Sequence, residues 1–157
     1  MNDRKEFNEI IHDIAYHPEF RKLAAYKHHI FCNRYQHCIN VAWYTYCMCK
    51  EAGLDYVSAT KGALLHDFFL YNYHTEQPVK GRHTCVHPQQ ALVNARKYFD
   101  VNPLMEDCIV HHMWPSDPLA VPQSREAYIV TIADKYSAAA EFGVNFVKRS
   151  VSFAMPR

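Results

Sequence analysis

The sequence predicts an all-α fold, a single compact helical bundle occupying residues 1–157. Three observations carry this. Only four glycines occur in 157 residues. No run alternates β-branched with polar residues, as a half-buried strand does. Apolar residues instead recur at helical spacing, punctuated by proline and by Asn/Asp clusters.

A first helix is expected from about Asn2 to Ala15, and "HPEF" opens a short second one with Pro18 at its start, where a missing N–H costs nothing. A long helix is expected from about Cys32 to Ala52, stopped by Gly53. The stretch "LDYVSATKGALLHDFFLY" restarts with Asp55 at the N-cap. From Asn72 to Thr84 the chain is polar and loop-like, with Pro78, Lys80, Gly81 and Arg82. "HPQQALVNARKYFD" is another helix with Pro88 early, and "NPLMEDCIVHHMWP" follows, closed by Pro115. After the loop "SDPLAVPQ" a final helix starts near Ser124, and "VNFVKRSVSFAMPR" forms a tail. No linker or repeat divides the chain.

Composition excludes several function classes. The formal charge is +1, so no basic surface for a nucleic-acid polymer is expected. No apolar run reaches the length of a membrane span. "MNDRKEFNEI" lacks the apolar core of a signal peptide, which makes a cytoplasmic location the expectation. The six cysteines contain no C-x-x-C pair, so they read as reduced thiols and not as a thiolate metal site.

Histidine is the anomaly. Eleven are present, about three times the usual share. At the centre of the apolar stretch "ALLHDFFLY", His66 and Asp67 stand side by side. An ionised carboxylate buried there without a partner costs several kcal/mol. Ala59, Ala63, His66, Asp67 and Leu70 fall on one helix face. By the same test His37 aligns with Val41, Tyr44 and Met48. Asp134 aligns with Ala127, Val130 and Ala138, and His112 aligns with Met105 and Ile109, with His111 alongside. His87 stands at the mouth of its helix. Inward carboxylates and imidazoles without buried Lys or Arg to match them point to a divalent cation, whose ordinary ligands they are. His12, His17, His28, His29, His74 and His83 read as surface or loop residues.

His37, then His66–Asp67, then Asp134 resembles the H…HD…D signature of the HD-domain metal-dependent phosphohydrolase superfamily, over about residues 30–142. His87 and the pair His111–His112 further resemble the extra histidines of its two-metal subset. The resemblance implies one ion on His37, His66, Asp67 and Asp134, and a second on Asp67, His87, His111 and His112, with Asp67 bridging. Neighbouring helical side chains diverge by about 100°, so His111 and His112 meet one ion only at a frayed helix end. The chain departs from the HD-GYP pattern, because Leu70 stands where a lysine is expected and "MWPSDP" follows His112. Cyclic-dinucleotide specificity is therefore disfavoured.

The implied reaction is hydrolysis of a phosphoester or phosphoanhydride in a small, nucleotide-like molecule, by a phosphomonoesterase, phosphodiesterase or nucleotidase. Two ions are expected, Fe or Mn ahead of Zn, Co and Ni, since histidine-rich ligation disfavours Mg and Ca. Such ions activate water and neutralise phosphoryl oxygens. Asp67 and His66 carry the chemistry, and Arg34, one turn before His37, is the candidate phosphate contact. Lys61, Lys80, Arg82 and Lys135 read as surface charge. Trp114, Tyr71 and Tyr73 could stack on a base. Two rivals remain open: a di-iron oxygenase with nearly the same ligands, and a non-catalytic nucleotide-binding regulatory module.

Overall fold

The computed structural model describes the backbone of residues 3–29, 32–73, 75–76 and 79–154, and the side chains of these except 28–29 and 142–154. Helix α1 spans Asp3–Ala15 and buries Phe7, Ile11 and Ile14, an i, i+4, i+7 stripe. Asp3 and Glu6 lie in its first turn, where negative charge suits the helix dipole. They also anchor it. Lys50 Nζ donates to Asp3 at 2.8 Å and to Glu6, and the hydroxyls of Tyr46 and Tyr56 each donate to Glu6 at 2.7 Å.

Helix α2 is Pro18–Arg21, followed by a 3-10 turn over Lys22–Ala25. His17 caps α2, its ring accepting from Glu19 N at 3.2 Å. Two short antiparallel strands then appear, β1 (Lys27–His29) and β2 (Cys32–Asn33). The expected helix from Cys32 thus starts two residues later, as α3 (Arg34–Glu51). The reason is local: the Asn33 side chain accepts from Gln36 N at 2.8 Å, an N-cap that holds Asn33 itself extended. Gly53, with φ +65°, stops the chain after α3. The inward face of α3 carries Arg34, His37, Cys38, Val41, Ala42, Thr45, Tyr46 and Cys49, and Met48 is exposed. The stripe drawn through Met48 therefore drifts one position off the true face.

Helix α4, Tyr56–Leu65, starts from Asp55, whose carboxylate accepts from Ser58 N at 3.0 Å. It ends before the His–Asp pair: His66 and Asp67 form the turn that follows. They are buried, but by that turn and not by a continuing helix face. Gly62 lets α4 meet α6 closely, since a Cβ there lies 2.8 Å from Cys108 Cβ. Helix α5 is His83–Tyr98 and opens one turn before the expected start. Helix α6, Pro103–His111, is capped by Asn102, which accepts from Met105 N at 2.8 Å. Helix α7 runs Arg125–Ala154 and absorbs most of the expected tail; Ser124 Oγ accepts from Ala127 N at 3.1 Å.

The fold is all-α, with seven α-helices among the described residues. α3 and α4 pack on each other, α7 covers α3, and α6 bridges α4, α5 and α7. Among the described residues no helix is long and apolar enough to cross a membrane.

Candidate metal centre

The ends of α4 and α6, the starts of α3 and α5 and the first third of α7 converge on one cluster. Three imidazoles in it are fixed in the same way. His66 Nδ1 lies 2.7 Å from the Ala63 carbonyl, His87 Nδ1 2.7 Å from the His83 carbonyl, and His112 Nδ1 2.7 Å from the Ile109 carbonyl. A carbonyl only accepts, so each Nδ1 carries the proton and each Nε2 presents a lone pair. These backbone bonds arise because each histidine sits three or four residues after its acceptor, one helical turn.

The three Nε2 atoms point at two carboxylates. His66 Nε2 lies 3.8 Å from Asp67 Oδ2 and 3.7 Å from Asp134 Oδ1. Asp67 Oδ1 lies 3.2 Å from His87 Nε2 and 3.6 Å from His112 Nε2. His87 and His112 face each other, Nε2 to Nε2, at 3.0 Å. His37 Nε2 meets Asp134 Oδ1 at 3.0 Å. Two groups of three possible ligands result, His37–His66–Asp134 and His66–Asp67–His112, with ligand atoms inside 4.8 Å of one another in each. Ligands about 2.1 Å from one ion stand roughly 3–4 Å apart. His66 belongs to both groups, and its buried Nε2 has no hydrogen-bond partner.

The cluster is held neutral where lone pairs are needed. Burial, then the neighbouring imidazoles of His66 and His87, push His112 down to about 3. Burial likewise lowers His66. His37 behaves differently: burial pulls it down, but hydrogen bonds to Asp134 and Glu141 outweigh this and raise it to about 9. Burial pushes Asp134 up, yet the His37 bond and nearby imidazoles hold it well below the usual carboxylate range. Neutral imidazoles beside ionised carboxylates are the donor set of a divalent transition metal. The residues fit such an ion.

Seven metal ligands were expected from sequence, and His37, His66, Asp67, His87, His112 and Asp134 are brought together. His111 is not. Its Nδ1 lies 2.6 Å from Asp107 Oδ1, one turn back on α6, and the 100° divergence expected of adjacent helical residues turns it away from His112. Asp107 also accepts from Ser124 Oγ at 2.6 Å and Gln123 N at 3.1 Å, joining α6 to the start of α7.

Arg34 is also placed differently from the expected phosphate contact. It is fully buried, donates to the carbonyls of Phe69 and Tyr71 (2.5 and 3.3 Å), and stacks 3.5 Å over the Phe69 ring. Its guanidinium satisfies the segment after Asp67, whose carbonyls leave helix pairing when α4 stops.

Glu141 was missed. Its Oε1 lies 3.2 Å from His37 Nδ1 and accepts from Asn40 Nδ2 at 3.2 Å and Ser137 Oγ at 3.0 Å. A carboxylate behind a histidine fixes the ring and raises its basicity toward a metal. The signal was present, because Asp134, Ser137 and Glu141 share one face of α7. His83, expected at the surface, instead stacks its ring on His87 and on Tyr73, centroids 4.4 Å apart in each case. The side chains of His28 and His29, and all of His74 and Pro78, lie outside the described residues.

Comparison with protein-family models matches the HD domain over residues 34–139, about two thirds of the chain. The chain belongs to that family, whose members are generally metal-dependent hydrolases that bind divalent metal. No curated protein and no solved structure matches it.

Proposed function

Starting from membership of the HD-domain family, we propose that the protein is a phosphohydrolase that cleaves a phosphoester or phosphoanhydride of a small, nucleotide-like molecule. Water supplies the attacking oxygen, the P–O bond to the leaving group breaks, and the leaving oxygen takes up a proton. The observation that carries the reading is the convergence of three Nε2 lone pairs, each fixed by a backbone carbonyl, on Asp67 and Asp134. His37, His66 and Asp134 would hold one ion, and Asp67, His87 and His112 a second. Bound there, divalent metal lowers the pKa of water and offsets charge on the phosphoryl oxygens. Fe or Mn is the favoured pair, ahead of Zn, Co and Ni.

The protein's own part is positional. Asp67 touches both halves of the cluster, through His66 on one oxygen and His87 on the other. Arg34 fixes the segment that follows Asp67. A nucleic-acid polymer or a membrane is not the intended partner, given the near-neutral charge. Six free cysteines support a reducing, cytoplasmic setting.

The test is phosphate release by protein reconstituted with Mn²⁺ or Fe²⁺, against phosphomonoesters, linear and cyclic phosphodiesters and dinucleoside polyphosphates. Release that Asp67→Asn abolishes supports the proposal. Oxygen consumption by the iron form without phosphate release points to an oxygenase. Tight nucleotide retention without turnover of any substrate points to a regulatory module. Either outcome overturns the proposal.

A further inference from the structure

We propose that Lys135 is the cation that holds the substrate's phosphoryl oxygens at the metal cluster, an assignment that rests on the phosphohydrolase reading. A phosphate approaching Asp67 and Asp134 meets two carboxylates, and beyond the metal itself it needs a fixed positive group with a free donor. Arg34 does not qualify. Its guanidinium is fully buried under the Phe69 ring and is committed to two main-chain carbonyls.

Lys135 has the required geometry. Its Nζ donates to the His112 carbonyl at 3.0 Å and stands 3.7 Å from Asp134 Oδ2. One anchor is therefore the backbone of a candidate ligand that caps the end of α6, and the other is the side chain of a candidate ligand on α7. An ammonium has three N–H donors, and these two neighbours leave a third direction. The side chain is 39 % exposed, so that direction reaches solvent. The ammonium is thereby fixed at the rim of the cluster, where an anion entering from outside encounters it. The helical step from Asp134 to Lys135 suits this arrangement, turning one residue inward to the cluster and the next toward its edge.

The rival role is structural, with Lys135 simply satisfying the carbonyl of His112, the residue that caps the C-terminal end of α6. Lys135→Gln separates the two roles, because the amide can still donate to the His112 carbonyl but carries no charge. Lys135→Arg keeps both functions. The measurement is calorimetric binding of inorganic phosphate to the metal-loaded full chain, with metal content determined for each variant. Lys135→Gln is expected to weaken phosphate binding roughly tenfold, the weight of one charge-assisted hydrogen bond, with metal content unchanged. Lys135→Arg is expected to restore binding to within about threefold of the parent.

Unchanged phosphate affinity in Lys135→Gln overturns the assignment while leaving the phosphohydrolase reading intact. Loss of metal from Lys135→Gln also overturns it, because the residue would then be holding the ligands and not the substrate. If the metal-loaded parent neither binds phosphate nor hydrolyses any ester, the phosphohydrolase reading itself has failed, and the assignment falls with it.

Discussion

His87 and His112 approach Nε2 to Nε2 at 3.0 Å, and both rings donate their Nδ1 protons to backbone carbonyls. Two lone pairs at that separation repel, and Asp67 Oδ1 adds negative charge 3.2 Å from one and 3.6 Å from the other. A divalent cation held by these residues would turn the repulsion into coordination. It would also balance the buried carboxylate of Asp67, which is 4 % exposed.

The two adjacent histidines at the end of α6 should separate cleanly. His112→Ala is expected to lose metal, whereas His111→Ala is expected to keep it, because His111 is spent on Asp107. Asp107→Asn should cost about 2 kcal/mol through its hydrogen bonds to Ser124 and Gln123. Elemental analysis and thermal unfolding of the three variants check this.

Arg34→Lys tests whether the arginine serves the fold or the substrate. A lysine cannot stack on Phe69 while reaching the carbonyls of both Phe69 and Tyr71. Stability is expected to fall by about 2 kcal/mol, the cost of buried groups left partly unsatisfied. A substitution that raised the phosphate KM at unchanged thermal stability would return Arg34 to the substrate.

The metal-free protein should be most stable near pH 6.5. Folded His112 titrates at about 3, so between there and 6.5 the unfolded chain binds a proton that the folded chain refuses, and stability rises with pH. Folded His37 titrates at about 9, so its contribution is complete below 6.5 and is lost as pH climbs to 9. Unfolding midpoints of chelator-treated protein from pH 5 to 9 are expected to trace this maximum. Metal should abolish the alkaline limb, since an ion on His37 displaces its proton.

How far the sequence reached depends on what carries each feature. The helical class and the cap at Asp55 follow from local residue chemistry, and the inward placing of His37 and Asp134 follows from the apolar stripes of α3 and α7. The errors lie where tertiary packing decides. The helical period runs on through His66 and Asp67 in the sequence, but α4 stops at Leu65 and a turn delivers both side chains. His111 and His112 are equivalent as letters, and only the carboxylate of Asp107 one turn earlier separates them. Arg34 resembled a substrate contact because the carbonyls it satisfies lie 35 and 37 residues away. Glu141 lies one turn beyond Ala138 on the stripe of α7 that runs through Asp134, so its inward placing is legible in the helical period.

Whether these residues hold metal is read by elemental analysis of untagged protein purified without chelator, with His87→Ala and His112→Ala alongside. Two equivalents of transition metal are expected in the parent, falling toward one in each variant, because the pair His37–Asp134 survives both substitutions. A parent protein carrying no transition metal, even after incubation with Mn²⁺ or Fe²⁺, would contradict metal binding by these residues.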